Sequence, residues 1–392
     1  MNPMPLPKDA LYIMDTLAAG GHRADVVGGC VRDFLMGKTP HDYDMTTDAT
    51  PEEMKAVFSC DRVIETGIRH GTLTVLLHGV PYEITTYRVD GGYTDHRHPD
   101  GVSFTRDLTE DLARRDFTVN AIAYHPAFGY TDPFGGMRDL RASVLRAVGD
   151  PCRRFEEDAL RILRALRFSA TLDFTIEEET AAALRQKAPL LSAVSVERVD
   201  AEWKKWIEGK AALRVLRAFA DVLPHFFPEI ADSPAIETLT DAVTPSVRTW
   251  YLFTPFADAP ARYDAAMRRL HADNHRREGG IAVLTHLHDD LTTDADLLTL
   301  LAEIGEVYAA DLLTLRAACH IGEPGEGTRL AALLANHTPY RISDLAVGGK
   351  DLAAIGYRGE KIGQILNTLI LRVRRGELEN EKDALLAAAR LL

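Results

Sequence analysis

The sequence predicts an α/β head followed by a long, all-helical remainder. Three observations predict it. Over roughly the first 145 residues, short β-like runs alternate with helical stretches. From Phe155 onward Leu, Ala, Arg and Glu dominate at helical spacing, and β-type runs almost vanish. The chain has 392 residues, too many for one ordinary core, so several domains are expected.

In the head, helices are expected over Asp9 to Ala18, Val31 to Met36 and Glu52 to Phe58. The last follows Thr50-Pro51-Glu52-Glu53, a helix start with Pro at the first position and acids in the first turn. Strands are expected at Val26-Val27, Tyr43 to Met45, Arg62 to Glu65, Thr72 to Leu77 and Tyr82 to Arg88, with Gly79-Val80-Pro81 as a hairpin turn. Arg88 to Asp107 is Gly-rich and charged and reads as a mobile loop between two sheet elements. Beyond about Gly149 everything reads as helical. Breaks are expected at Leu172-Asp173-Phe174, Pro224, Pro228, residues 245–260, Gly279-Gly280, Pro324 and Pro339. No internal repeat or low-complexity segment stands out.

Hydrophobic content of 46% and charged content of 26% describe a soluble globular chain. No apolar run approaches the ~20 residues of a membrane span, and Met1 to Lys8 lacks the pattern of a signal peptide. Cys30, Cys60, Cys152 and Cys319 are far apart, which argues against a zinc site or disulfide framework and suits a reducing cytoplasm. The net charge of −13 argues against strong non-specific binding of nucleic acid, yet it does not forbid a local basic groove.

The most informative stretch is Gly28-Gly29-Cys30-Val31-Arg32-Asp33-Phe34-Leu35-Met36-Gly37, followed by Asp42-Tyr43-Asp44. Glycines between a strand and a helix let backbone N–H groups approach a phosphate at the helix N-terminus. Arg32 adds a guanidinium that takes phosphate oxygens bidentately. On a strand, period 2 puts Asp42 and Asp44 on one face. Two carboxylates side by side repel unless a cation lies between them, the arrangement a two-Mg²⁺ phosphoryl or nucleotidyl transfer site needs. A Gly-Gly turn or an Asp-x-Asp loop alone is commonplace; the ordered combination with Arg32 is what points to chemistry.

At these residues, through Thr46-Thr47, the chain resembles the class II nucleotidyltransferases of the polymerase-β superfamily. That group contains CCA-adding tRNA nucleotidyltransferases and bacterial poly(A) polymerases. The resemblance implies an α/β nucleotidyltransferase head, a mixed sheet with flanking helices, followed by helical neck, body and tail. Boundaries are expected at 1–148, 149–214, 215–330 and 331–392.

Asp111-Leu-Ala-Arg114-Arg115-Asp116-Phe-Thr-Val-Asn120-Ala-Ile-Ala123 resembles the family's second motif. Arg114 and Arg115 offer charge to a triphosphate, Arg115 being the favoured contact. Asp116 and Asn120 can hydrogen-bond a ribose hydroxyl or orient those arginines. Gly129 to Leu140 matches a third motif and reads as a tight structural turn joining head to neck. Glu83 is a candidate third carboxylate near Asp42 and Asp44, or a partner for Arg88.

Glu157-Asp158-Ala159-Leu160-Arg161, continuing through Arg164 and Arg167, is the second decisive stretch. Asp158 and Arg161 are three apart, neighbours on one helix face, whereas the three-residue steps carry Arg167 to another face. The plain alternative is an ion pair on a solvated helix. The chemical reading is base selection. Cytosine and adenine both place an amino donor beside a ring-nitrogen acceptor. Aspartate accepts from the first and arginine donates to the second. Uracil and guanine reverse that order and leave buried polar groups unpaired, at roughly 1–3 kcal/mol each. The stretch matches the family's Glu-Asp-x-x-Arg motif, and Arg164 and Arg167 match further positions assigned to nucleotide binding.

The loop holding His96 and His98 resembles, by position, the one CCA-adding enzymes use in switching from CTP to ATP, which CC-only members lack. As a metal site the two histidines form a weak pattern. His288-Asp289 suggests a phosphohydrolase pair, without the partners that would complete it. Near the C-terminus, Val347-Gly348-Gly349-Lys350 and Gly356-Tyr357-Arg358-Gly359-Glu360-Lys361, with Arg372, Arg374 and Arg375, suit a backbone-phosphate grip. They resemble the tail of Bacillus-type CCA-adding enzymes, which implies contact with the tRNA elbow; capped helices with solvated basic residues are the alternative.

The resemblance implies template-independent addition of C, C and A to a tRNA 3′ end from CTP and ATP, releasing pyrophosphate. Asp42 and Asp44 would hold Mg²⁺, Gly29, Arg32 and Arg115 the phosphates, and Asp158 and Arg161 the base. The partners implied are tRNA, at its 3′ end and elbow, with no membrane and no stable protein partner. A CC-only or A-only enzyme, a poly(A) polymerase and an inactive tRNA-binding protein remain as alternatives.

Overall fold

The structure is a computed structural model that describes residues 3–40, 42–65, 67–91 and 101–392. The chain divides into two compact units, Met1–Pro228 and Glu229–Leu392.

The first unit opens with α1 (Lys8–Ala19), β1 (Ala24–Val27), α2 (Gly29–Leu35), β2 (Met45–Thr47) and α3 (Pro51–Val57). There follow β3 (Arg62–Ile64), β4 (Thr72–Leu77), β5 (Val80–Thr86), β6 (Arg88–Asp90) and β7 (Val102–Phe104). Then come α4 (Leu108–Ala113), β8 (Ala123–His125), β9 (Gly129–Thr131), α5 (Gly136–Ala142) and β10 (Val144–Leu145). A seven-stranded sheet runs in the order β3-β4-β5-β2-β1-β8-β9. Only the β2–β5 pairing is parallel within it, so the sheet is mixed. Helices α1 and α3 cover one face, with Ile13, Leu17, Met54 and Phe58 packed on Val26, Leu73, Val75 and Ile84. The start of α3 is fixed by a capping box between Thr50 and Glu53.

Several boundaries differ from expectation. Helix α2 starts at Gly29 rather than Val31, because Gly28 supplies the positive φ of 78° at which the strand turns into the helix. Strand β2 starts at Met45, after the two aspartates. The hairpin turn lies at His78 and Gly79, both at positive φ, and Val80-Pro81 already belongs to β5 on its pairing with β4. The ends of the Arg88 to Asp107 segment are strands, β6 pairing with β7, so it is a ribbon at its base. His96 and His98 lie outside the described residues.

The third motif is structural in the way its residues suggested. The Asp132 carboxylate accepts the N–H groups of Gly136 at 2.7 Å and Met137 at 2.9 Å, starting α5. Asp139 on α5 accepts from the Thr118 hydroxyl at 2.8 Å and from Arg146 at 3.2 Å. The helix thereby braces the single helical turn Thr118–Asn120, which leads into the site.

The helical part of this unit comprises α6 (Pro151–Glu157), α7 (Leu160–Leu172), β11 (Thr175–Ile176), α8 (Glu178–Lys187), α9 (Val196–Ile207) and α10 (Ala212–Ala218). One short strand, β11, pairs in parallel with β10, an exception to the all-helical expectation. Asp173 ends α7 in the left-handed conformation at φ 62°. The unit runs past the expected neck boundary at 214 because α10 packs on α7.

The second unit holds α11 (Ala235–Thr238), α12 (Arg248–Tyr251), α13 (Ala259–Arg269), α14 (Asn274–Thr285), α15 (Asp294–Ala318), α16 (Glu326–Ala335), α17 (Gly349–Ala354), α18 (Glu360–Arg374) and α19 (Lys382–Ala389). The break expected at Gly279-Gly280 is not there, since α14 runs straight through it. The glycines serve close packing instead: a Cβ at Gly279 would lie 2.0 Å from the Tyr308 ring, and one at Gly280 2.2 Å from that of Tyr263. The kink falls unannounced at Gly305 in α15, at φ 80°. Among the described residues no helix is long and apolar enough to cross a membrane.

Gly136 is the tightest point beneath the site, since a Cβ there would stand 2.1 Å from the Thr118 carbonyl oxygen. Gly136→Ala should therefore destabilise the first unit by about 1–3 kcal/mol. Chemical denaturation of the variant against the parent protein measures it.

Candidate active site

Gly28, just after β1, and Gly29, the first residue of α2, line an open cleft of about 700 Å³. The nine residues that the sequence assigned to metal, phosphate and nucleotide contacts line it: Gly29, Arg32, Asp42, Asp44, Arg115, Asp158, Arg161, Arg164 and Arg167. Among the described residues, Gly28, Arg114, Asp116, Asn120, Leu160, Phe168, Arg198 and Lys205 line it as well.

The two aspartates reach the cleft through alternation along an extended segment. Tyr43 packs against the head core, which sends Asp42 and Asp44 to the other side. The Val27 N–H bonds the Asp44 carbonyl at 3.0 Å and extends the β1–β2 pairing up to that residue. Loss of solvent at the cleft wall raises the Asp44 carboxyl above the ordinary range; Arg115 opposes the shift and Asp42 adds to it. Glu83 is exposed on β5 and does not line the cleft, so it is not a third carboxylate there. Among the described residues no cluster of three or more His, Cys, Asp or Glu side chains could hold a metal ion, around His288-Asp289 included. Asp289 pairs instead with His286, at 2.7 Å.

In α2 the pairing recorded at its start runs from the Arg32 N–H to the Gly28 carbonyl at 3.1 Å, so the N–H groups of the first turn have no intrahelical acceptor. A Cβ on Gly28 would approach Arg115 Nη1 to 3.1 Å. Arg32 donates to Asn120 Oδ1 at 2.7 Å and pairs with Asp33 at 2.8 Å. Neighbouring Cys30 is no nucleophile, its thiol being pushed up to about 11 by burial and by Asp44.

The arginines of the second motif are held differently from expectation. Asp111, fully buried, takes Arg114 at 2.8 Å and Arg115 at 3.4 Å, and the Thr46 hydroxyl at 3.2 Å. Burial pushes the Arg115 guanidinium down and Asp111 opposes this; its buried Nε has no hydrogen-bond partner among the described residues. Asp116 and Asn120 orient Arg164 and Arg32 rather than Arg114 and Arg115. Asp116 Oδ2 accepts from Arg164 Nη2 at 2.6 Å and Nε at 2.8 Å, and Oδ1 accepts from Asn120 Nδ2 at 3.0 Å.

The neck is not one helix here. It breaks at Asp158, whose backbone is extended (φ −141°, ψ 103°) between α6 and α7. Because Asp158 lies off the helix, Asp158 and Arg167 face the same cleft, against the helical-wheel expectation. The side chains of Asp158 and Arg161 do not pair with each other; the Arg161 N–H bonds the Asp158 carbonyl at 2.9 Å. Asp158 Oδ2 accepts from Arg198 at 2.9 Å, and Oδ1 from the Leu160 N–H at 3.1 Å. Arg161 pairs with Glu157 at 2.8 Å and donates to the Arg114 carbonyl at 3.0 Å. Arg167 pairs with Glu202 of α9. Phe168, edge-on to Phe117, has the guanidinium carbons of Arg32, Arg164 and Arg167 at 5.2, 5.3 and 3.8 Å from its ring centroid. Each such contact contributes about 0.5–2 kcal/mol.

Sequence reasoning missed Asp111, Phe168, Arg198, Glu202 and Lys205 as members of this network. The i,i+3 and i,i+4 spacing of Asp111 to Arg114 and Arg115 was a usable signal. The contacts from α9 had none, since they bridge elements far apart in sequence.

Residues 24–146 match the family model described as the poly A polymerase head domain. Residues 173–233 match that of a probable RNA and SrmB-binding site of polymerase A. Fold and cleft thus define a nucleotidyltransferase with a poly A polymerase-type head. The CCA-adding enzyme of Leuconostoc mesenteroides is 38% identical over 390 residues, spanning 96% of this chain and 94% of its own. That of Levilactobacillus brevis is 36% identical over 383 residues, spanning 96% of each. The crystal structure of the Bacillus stearothermophilus CCA-adding enzyme in complex with CTP is 32% identical with a TM-score of 0.75, over 99% of this chain and 98% of that one. The chain belongs to the family of CCA-adding enzymes.

Burial alone would raise the Asp116 carboxyl, but Arg164, Asn120 and Arg161 hold it down at about 2. A depressed carboxyl stabilises the fold above its unfolded pKa of about 3.9, by on the order of 2 kcal/mol. That contribution is lost as pH falls from about 4 toward 2. Asp116→Asn should show a shallower loss of unfolding free energy between about pH 4 and 2 than the parent protein.

Proposed function

We propose that this cleft adds C, C and A to the 3′ end of tRNA from CTP and ATP, without a template. The observation that carries the reading is one cleft lined at once by the paired carboxylates, the glycine turn with Arg32 and Arg115, and the Asp158 and Arg161 side chains. The full-length similarity to CCA-adding enzymes supports it.

Asp42 and Asp44 suit Mg²⁺ in donor type, being hard carboxylate oxygens, and the raised carboxyl of Asp44 is what a cation would relieve. When bound there, Mg²⁺ supplies Lewis-acid activation of the acceptor hydroxyl and neutralises phosphate charge. Gly29, Arg32 and Arg115 hold the triphosphate. Asp158 accepts the amino group of cytosine or adenine, Arg161 donates to the adjacent ring nitrogen, and Arg164 and Arg167 complete the nucleotide contacts. The acceptor 3′-oxygen bonds to the α-phosphorus as the bond to pyrophosphate breaks.

In this reading residues 1–148 are the catalytic head, 149–214 the neck that reads the base, 215–330 the body and 331–392 the tail. Lys350, Arg358 and Lys361, exposed on the tail, grip the tRNA elbow. Arg374 does not join them, since its guanidinium donates to the Tyr340 carbonyl at 3.0 Å. The cytoplasm is the matching compartment. The match to the poly A polymerase head favours a second reading, a poly(A) polymerase.

Purified protein with Mg²⁺ and tRNA transcripts ending at the discriminator base, at C and at CC should add C, C and A in order and stop. A long A tail would identify a poly(A) polymerase, and C without A, or A on the CC transcript alone, a specialised enzyme. The double variant Asp42→Ala, Asp44→Ala should lose incorporation by at least about a hundredfold while keeping tRNA binding. Mg²⁺ should raise the thermal midpoint of the parent protein and leave that of the double variant unchanged.

A further inference from the structure

We infer that Arg198 is a positioning residue for base selection: from α9 it fixes the Asp158 carboxylate in the orientation that accepts the amino group of a base. The inference rests on the proposed reading of Asp158 and Arg161 as the base selector.

Asp158 lies at the break between α6 and α7, in extended backbone. Its side chain leaves an extended backbone just past the last turn of α6, and the terminal torsion of a carboxylate is broad. The direction of its oxygens is therefore set by contacts. Among the described residues two hydrogen bonds hold them: the Leu160 N–H on Oδ1 and Arg198 Nη2 on Oδ2. The first is local and moves with the chain. The second comes from an element 40 residues away and ties the carboxylate to a separate helix. The two side chains are 18% and 25% exposed, shielded enough for a charge-assisted bond to hold its geometry. Each carboxylate oxygen has two acceptor sites, so each keeps one for a base.

Arg161 is held by a different scaffold. Its partners are Glu157, the Arg154 carbonyl at 3.2 Å and the Arg114 carbonyl, on α6 and at the end of α4. The acceptor half of the selector thus depends on α9, and the donor half does not. Removing Arg198 frees the acceptor while the donor and the phosphate-side arginines stay fixed. A carboxylate free to turn no longer penalises a base carbonyl placed where the amino group belongs. The loss therefore falls on the choice among nucleotides rather than on turnover in general. Helix α9 is docked through Trp203, Trp206 and Ile207, which are buried.

The experiment compares Arg198→Met, Arg198→Lys and Asp158→Ala in the full chain. It measures kcat/KM for CTP and for UTP on a tRNA transcript ending at the discriminator base, tRNA affinity and the thermal midpoint. Arg198→Met should lower the CTP-to-UTP ratio about tenfold, the scale of one misplaced hydrogen bond. Arg198→Lys should restore part of the ratio, and tRNA affinity should stay unchanged. Equal losses for both nucleotides in Arg198→Met, with Asp158→Ala still losing the ratio, would overturn the inference and leave the base-selector reading intact. A parent-like ratio in Asp158→Ala would overturn that reading and the inference with it. If Arg198→Met loses its thermal transition, Arg198→Lys carries the comparison: a ratio below that of the parent protein supports the inference, and a parent-like ratio overturns it.

Discussion

The site depends on one buried carboxylate. Asp116 takes Arg164 from the neck helix on one oxygen and Asn120 from the head on the other, and Asn120 passes the constraint to Arg32. The head and α7 meet at this point, and the distance between the glycine turn and the α7 arginines is set there. A buried ion pair of this kind is weak evidence for stability, because desolvation consumes most of the Coulomb gain. What it provides is a fixed position for the two guanidiniums. A site that must stabilise developing charge gains from groups that need not reorganise.

The same logic runs through the rest of the cleft. Among the described residues, eight cationic side chains line it, namely Arg32, Arg114, Arg115, Arg161, Arg164, Arg167, Arg198 and Lys205. Seven of them have a carboxylate partner, in Asp33, Asp111, Asp116, Asp158, Glu157 or Glu202. The acidic total of the chain and a cationic cleft are therefore compatible. The partner carboxylates hold the arginines in register and lower the repulsion among them. A net charge of −13 at the same time keeps the remaining surface from binding polyanions indiscriminately.

Much of this was legible in the sequence, and for a definite reason. The glycine turn, the aspartate pair and the arginines at 161, 164 and 167 sit in short segments that read as motifs, and the resemblance of those motifs to one family implied a shared site. The supporting groups are not local. Asp158 to Arg198 and Arg164 to Asp116 span 40 and 48 residues, and no periodicity encodes such contacts. The break at Asp158 carries neither Gly nor Pro and was invisible. Conversely, Gly279-Gly280 read as a break because glycine signals an open turn and a tight helix crossing alike. Only the Tyr263 and Tyr308 rings lying over bare backbone tell them apart.

The break at Asp158 also limits how much the neck can know. In the proposed reading, Asp158 and Arg161 present a single donor–acceptor pattern, anchored on both sides. A fixed pattern answers one binary question, separating cytosine and adenine from uracil and guanine. It carries no information on which of the two accepted bases comes next, because both present the same edge. That second decision must be written in a different variable, the room left in the cleft for one ring or two, and the growing end of the acceptor is the part of the system whose length changes between additions.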